Sequence, residues 1–236
     1  LVQSLKIRLL AMLHIGFVWL GLAFVLGGVS QLLGLAFGAP VLGHTLRALR
    51  QCEAVEHVFV VVPADEDRAD AIVTRADNAT VLRCAGAQRA DTVRNALAAV
   101  AKLVRRDAWV LVHDAARPCV GKADLDRLIA MLRDHSVGGL LAVPVSDTLK
   151  RADEAGGVAE TVSRERMWRA QTPQMFRYDT LVHALAASPD VTDEAQAIEA
   201  LGLVPRLVPG SARNIKITHA DDAELAAFYL RDQTSQ

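Results

Sequence analysis

The stretch Ala108 to Cys119, A-W-V-L-V-H-D-A-A-R-P-C, decides how this chain is read. Trp109 to Val112 is an unbroken apolar run, dense enough for a strand buried on both faces, and within a few residues it gives way to His-Asp-Ala-Ala-Arg-Pro. A core strand ends there and a polar site begins. In open α/β sheets, ligands sit in the crevice outside the carboxyl ends of the strands, which places Asp114 and Arg117 where a substrate is held. The alternative is plainer: Asp114 caps the next segment and Arg117 is a solvated loop charge.

Outward from this strand the pattern is one of helices alternating with strands. On the N-terminal side, Val41, Leu42, Thr45, Leu46 and Leu49 recur at helical spacing, and His57 to Val62 is a β-branched run ended by Pro63. Thr80 to Arg83 is a further short strand. The segment A-G-A-Q-R-A-D-T-V then places Gly86 near a helix start, with Val93, Leu97, Val100 and Val104 as the buried stripe. A glycine-bearing loop ahead of a helix exposes backbone N–H groups that suit an anion or a polar ligand edge. Arg89 and Thr92 sit where such a ligand lies; solvated charge and helix capping are their structural alternatives.

On the C-terminal side, Asp124 to Arg133 carries Leu125, Leu128, Ile129 and Leu132 on one helical face, and Gly138 to Val145 reads as a strand. Asp147 to Trp168 has a Gly156-Gly157 turn between β-prone flanks and few core residues, the signature of a projecting hairpin arm. Such an arm is stable only when covered, most simply by its counterpart in a second subunit. Gln171 to Phe176 is expected to be a Pro-containing turn, Thr192 to cap a helix opened by T-D-E-A, and Val204 to Val208 and Asn214 to Thr218 to be late strands. Lys216, alternating with Ile215 and Ile217, points to the opposite face from them, toward the crevice or else to solvent at a sheet edge.

The totals narrow the class. The chain has 236 residues, 52% hydrophobic and only 5% aromatic, so its core is built mainly from Ala, Val and Leu. A formal net charge of -1 argues against a protein that coats nucleic acid. Cys52, Cys84 and Cys119 are widely spaced and odd in number, fitting neither a disulfide framework nor a zinc site and placing the chain in a reducing cytoplasm. One region disagrees: no Asp, Glu, Lys or Arg occurs between Arg8 and Arg47, and the apolar run from Leu9 is long enough to span a bilayer or, behind Lys6 and Arg8, to act as a signal or anchor.

Seven segments in order carry a resemblance: G-A-Q-R-A-D-T-V from Gly86, V-L-V-H-D-A-A-R-P from Val110, P-V-S-D-T-L-K-R from Pro144, T-V-S-R-E-R-M-W from Thr161, Q-T-P-Q-M-F, T-D-E-A and N-I-K-I-T. From about Val41 onward the chain resembles the 2-C-methyl-D-erythritol 4-phosphate cytidylyltransferases of the non-mevalonate isoprenoid route. The resemblance implies a single α/β domain over residues 1–236, with a Rossmann-like nucleotidyltransferase sheet, flanking helices, and residues 147–168 as a β-arm exchanged across a homodimer. It implies transfer of a cytidylyl group from CTP to methylerythritol phosphate with release of pyrophosphate and a requirement for Mg²⁺. Lys216 then matches a catalytic lysine near the α-phosphate. Asp114 matches the aspartate of the nucleotide and metal region, with Ala115 beside it, and Gly86, Arg89 and Thr92 match the cytidine and ribose pocket. Thr148 and Arg164, on the arm, match residues that hold the acceptor's phosphate, a role that suits the planar fork of Arg. Arg117 and Thr192 carry over to the same substrate site. Ala87 stands where many members carry an acidic residue. A related nucleotidyltransferase for another sugar or polyol phosphate, and a nucleotide-binding relative without turnover, are the competing readings.

The departure lies at the N-terminus, where the family has a strand, a Gly-rich A-A-G-x-G-x-R loop and P-K-Q-Y. Counting back places that loop at about Val18 to Ala23 and P-K-Q-Y on Ser30 to Leu33, and neither basic residue is present. Loss of two transition-state cations would cost on the order of 10²- to 10³-fold each. The spacing nevertheless fits, so Leu1 to about Phe37 is expected to occupy the family's first β-α unit with altered side chains. A misread or frameshifted segment accounts for this better than a degenerate relative or a membrane anchor, because an anchor would remove a central strand from an otherwise complete domain.

Overall fold

The computed structural model describes residues 7–12, 41–73, 78–188 and 190–234. In chain order the elements are β1 (Ile7–Met12), α1 (Val41–Arg50), β2 (Val55–Val62), α2 (Arg68–Val73), β3 (Ala79–Arg83), α3 (Arg89–Ala99), β4 (Trp109–Asp114), α4 (Lys122–Leu132), β5 (Gly138–Pro144), β6 (Leu149–Ala152), β7 (Val158–Val162), β8 (Trp168–Arg177), α5 (Tyr178–Ala187), α6 (Glu194–Ala200), β9 (Arg206–Pro209) and α7 (Ala220–Thr234). Seven strands form one sheet in the order β3-β2-β1-β4-β8-β5-β9, and β6 and β7 pair separately as the arm.

The unbroken apolar strands are what burial on two faces demands. Val58, Val60 and Val62 of β2 and Trp109 and Leu111 of β4 pack on one face against Leu42, Leu46 and Leu49 of α1 and Leu125, Leu128 and Leu132 of α4. The alternate residues Phe59, Val61, Val110 and Val112 pack on the other face against Val93, Leu97 and Val100 behind α3, Leu181 and Leu185 of α5, and Ile198 of α6. Each fully buried Leu or Val contributes about 1.5 to 3 kcal/mol, so the two layers supply the bulk of the folding drive. At the start of β5 a Cβ on Gly139 would stand 2.0 Å from the Arg206 carbonyl oxygen, so only glycine allows β9 to pair there.

The apolar N-terminal run begins inside this sheet. β1 lies parallel between β2 and β4, with Leu10 opposite Phe59 on one side and Val112 on the other. That is the central position expected for the first β-α unit. The expected Gly-rich loop and P-K-Q-Y positions lie outside the described residues, as does most of the run read as a bilayer span. Among the described residues no helix is long and apolar enough to cross a membrane.

Three expectations change. Gln171 to Phe176 is not a turn but the middle of β8, antiparallel to both β4 and β5. Its Pro173 falls where the register with β5 shifts, between Leu140 and Ala142, so the missing N–H interrupts the ladder where it is already irregular. Asn214 to Thr218 joins no strand; its main-chain link to the loop after β4 is from Ile217 N to the Ala116 carbonyl, 2.9 Å. The cap of α6 is Asp193 rather than Thr192: Asp193 Oδ1 accepts from Gln196 N at 2.9 Å, while the amide and hydroxyl of Thr192 both donate to Gln196 Oε1.

Candidate active site

The end of β4 is a tight polar knot. The Asp114 backbone N–H donates to Thr172 Oγ1 at 3.0 Å, and Arg117 N closes the turn on the Asp114 carbonyl at 3.0 Å. His113, fully buried, spans the same turn, with Nε2 3.2 Å from the Arg117 carbonyl and Nδ1 3.0 Å from Thr172 Oγ1. A carbonyl only accepts, so Nε2 carries the proton and Nδ1 accepts from the Thr172 hydroxyl. Burial pushes the His113 imidazole down to about 4, which keeps it neutral.

The segment carrying Lys216 is stitched to this knot from below. Arg117 Nη1 donates to the Asn214 carbonyl at 2.7 Å, Asn214 Nδ2 to the Thr172 carbonyl at 2.8 Å, and Gln171 Nε2 to the Ser211 carbonyl at 2.9 Å. Ile217 and the partly buried Ile215 pack with Cys119, Ala223 and Ala226. The alternation between them then delivers Lys216 Nζ to 3.2 Å from Asp114 Oδ2. The expected orientation holds although the expected strand does not form.

The third side comes from α3. A Cβ on Gly86 would meet Asp91 Cβ at 2.2 Å, so the loop needs glycine there to fold back on the helix start. Gly86 N donates to Thr92 Oγ1 at 3.0 Å and the Thr92 hydroxyl donates to the Gln88 carbonyl at 3.1 Å. Thr92 is wholly buried, and in this structure its hydroxyl shapes the loop. Arg89, at the first turn of α3, reaches Asp114 Oδ1 with Nε at 3.1 Å and grips Glu194 with its two terminal nitrogens at 2.6 and 2.9 Å. Arg117 Nε completes the set at 3.7 Å from Asp114 Oδ2.

Burial alone would raise the Asp114 carboxyl, but the Arg89, Lys216 and Arg117 charges more than reverse it and hold it well below the usual carboxylate range. Asp114 is therefore an anion at any working pH and no proton acceptor near neutrality. Ala115 is buried, and its carbonyl accepts from Thr45 Oγ1 at 2.7 Å.

The structure thus brings Arg89, Asp114, Arg117 and Lys216 together around one carboxylate, with Gly86, Thr92 and Ala115 in the loops that hold them. Thr192 lies two residues from Glu194, its hydroxyl on Gln196. Thr148 and Arg164 are exposed on the arm and joined to the cluster by no hydrogen bond or ion pair among the described residues. Two contributors carry no mark in the sequence. Glu194 reads there as one of several acidic residues in a first helical turn, and Thr172 as part of a turn; only the tertiary pairing shows that one anchors Arg89 and the other fixes Asp114.

A Rossmann-like sheet with a cation-ringed aspartate at the carboxyl end of a central strand, and a hairpin arm entering its antiparallel strand, defines a nucleotidyltransferase. The family model for 2-C-methyl-D-erythritol 4-phosphate cytidylyltransferase (IspD) matches residues 27–232. Proteins so named from Dechloromonas aromatica and Laribacter hongkongensis are 51% and 52% identical, over 82% and 85% of this chain and 86% and 87% of their own. A crystal structure of 4-diphosphocytidyl-2C-methyl-D-erythritol synthase superposes with a TM-score of 0.80 at 36% identity, covering 95% of this chain and 99% of that one. The Francisella tularensis 2-C-methyl-D-erythritol 4-phosphate cytidylyltransferase gives 0.77 at 30% identity, covering 95% and 100%. The chain belongs to the 2-C-methyl-D-erythritol 4-phosphate cytidylyltransferase family.

Proposed function

We propose that the protein transfers the cytidylyl group of CTP to 2-C-methyl-D-erythritol 4-phosphate, giving 4-diphosphocytidyl-2-C-methyl-D-erythritol and pyrophosphate for isoprenoid precursor synthesis by the non-mevalonate route. The observation that carries this reading is the arrangement of Arg89, Arg117 and Lys216 around Asp114. It supplies fixed positive charge but no free base, since His113 is neutral and spent on the turn. A hydroxyl nucleophile would need a base. A phosphate monoester does not, because with a second pKa of about 6 it is already largely a dianion at neutral pH.

The acceptor's phosphate oxygen attacks the α-phosphorus in line, the bond to the bridging oxygen breaks, and pyrophosphate leaves with that oxygen. Lys216, 44% exposed, is the member of the cluster able to turn from Asp114 to the α-phosphate, where a fixed cation stabilises the charge that develops. Arg89, held by Glu194, keeps Asp114 in place. Mg²⁺ usually binds through one or two carboxylates together with substrate phosphates, and Asp114 fits that mode as the single carboxylate that would hold it. Among the described residues no group of three ligating side chains could bind the ion without the nucleotide. When bound, Mg²⁺ neutralises phosphate charge.

The arm supports a homodimer. Residues 151–161 are exposed throughout, Val158 is 66% and Met167 43% exposed, and an isolated two-stranded hairpin is marginal in water. A second copy that receives this arm would gain Thr148 and Arg164 at the acceptor's phosphate. The three unbridged cysteines support a reducing, cytoplasmic setting.

The test is pyrophosphate release from CTP with and without methylerythritol phosphate, against a panel of other sugar and polyol phosphates. Release confined to methylerythritol phosphate is the expected result. Faster release with another acceptor, or nucleotide binding without release, would replace this reading.

A further inference from the structure

We propose that Arg169 is an additional phosphate-binding residue of this site, reaching the crevice from the start of β8, just after the arm. β8 runs antiparallel to β4, so its N-terminal residues lie at the same edge of the sheet as Asp114. The ladder between the two strands stops at Val112 and Gln174, and β8 continues beyond it with its backbone fixed by β5, Val143 opposite Arg169 and Pro144 opposite Trp168. The arm closes just outside, through Val145 N to the Met167 carbonyl at 3.0 Å. Arg169 is therefore an exposed guanidinium on a rigid strand at the junction of arm and crevice, and no ion pair engages it among the described residues.

Its setting is short of negative charge. The charges acting most strongly on Arg117 are one carboxylate, Asp114, and two guanidinium groups, Arg89 and Arg169. Arg89 is occupied by Glu194 in a two-point pair. That leaves Arg117 and Lys216 on Asp114, with Arg169 close enough to act on Arg117, and Arg117 Nε is buried with no hydrogen-bond partner among the described residues. Counted together, the four cations Arg89, Arg117, Lys216 and Arg169 exceed the two carboxylates Asp114 and Glu194 by two positive charges, the complement of a phosphate dianion. A bound phosphate would satisfy this excess, and Arg suits it because its planar fork contacts two oxygens at once. The identity of the anion rests on the proposed reaction: it is the phosphomonoester of the acceptor or the pyrophosphate portion of CTP.

The experiment is calorimetric titration of the full chain, and of its Arg169→Gln and Arg169→Lys variants, with methylerythritol phosphate and separately with inorganic pyrophosphate, at low and high salt. Arg169→Gln is expected to weaken one of the two anions about tenfold, as for loss of a charge-assisted contact, with a shallower salt dependence and an unchanged melting temperature. Arg169→Lys, which keeps the charge and loses the fork, is expected to recover part of the loss. The anion affected identifies the phosphate. Affinities for both anions within twofold of the parent, or a parent chain that binds neither, would overturn the proposal. Arg169-dependent binding in a chain that turns over no acceptor would instead remove the proposed reaction and leave this site standing.

Discussion

Lys216 Nζ and Asp114 Oδ2 stand 3.2 Å apart although almost half the chain separates them. Asp114 ends a central strand, whereas Lys216 belongs to an irregular segment fixed by Asn214 and Ile217. The pairing orients the lysine, and its exchange of Asp114 for a phosphate has little structural cost, since the carboxylate retains Arg89 and Arg117.

Replacing Lys216 with Met should therefore lower kcat by about 10²- to 10³-fold while KM for CTP changes little, because the charge matters most when the phosphorus is pentacoordinate. Lys216→Arg should recover only part of the rate, its planar fork being a poor substitute for a compact ammonium. Steady-state kinetics of pyrophosphate release reads both values, and a rise in KM with kcat intact would assign Lys216 to ground-state binding instead.

Glu194 predicts a different phenotype. Its side chain is 1% exposed and carries both terminal nitrogens of Arg89, so Glu194→Ala leaves a buried guanidinium with Asp114 alone. Removal of one partner of a buried pair typically costs about 3 to 5 kcal/mol, and the remaining Asp114 contact favours the lower end. The denaturant midpoint of Glu194→Ala should fall with the m-value unchanged. Arg89→Met in the same chain should return part of the loss, and an additive double variant would show that the pair does not act as a unit.

His113 sets a pH dependence of folding. Its folded value lies at about 4 against an ordinary 6.5, so between these values the unfolded chain binds the extra proton and stability rises with pH. The contribution is complete above about 6.5 and is lost as pH falls toward 4, about 3 kcal/mol over the window. Urea unfolding at pH 7 and pH 4.5 should show a smaller difference for His113→Gln than for the parent chain, and equal differences would contradict the burial argument.

The elements with a strong period are legible in the amino-acid order alone. The stripe Val93, Leu97, Val100 and Val104 is buried in full, and the β-branched run before Pro63 is the strand expected. What misleads is local chemistry overridden by pairing. Pro173 reads as a turn until the register shift opposite it is known, and N-I-K-I-T alternates like a strand yet packs on the loop after β4. The site is legible at Asp114 and Arg89 because each lies at an element boundary, and at Lys216 because it alternates with Ile215 and Ile217. Glu194 and Thr172 are not, because a buried carboxylate and a buried hydroxyl carry no local mark; their role exists only through partners distant in sequence.

In the proposed dimer each catalytic centre joins the Asp114 cluster of one subunit to the arm of another, and mixing two inactive variants tests this most directly. Lys216→Met removes the cluster's lysine and Arg164→Ala the arm's proposed phosphate ligand, and each is expected to cripple its own homodimer. Co-refolded in equal amounts, half of the dimers are mixed and each holds one intact centre, so about a quarter of the parental pyrophosphate release should return. If the mixture is no more active than the two variants alone while mixed dimers demonstrably form, the arm does not serve the neighbouring site.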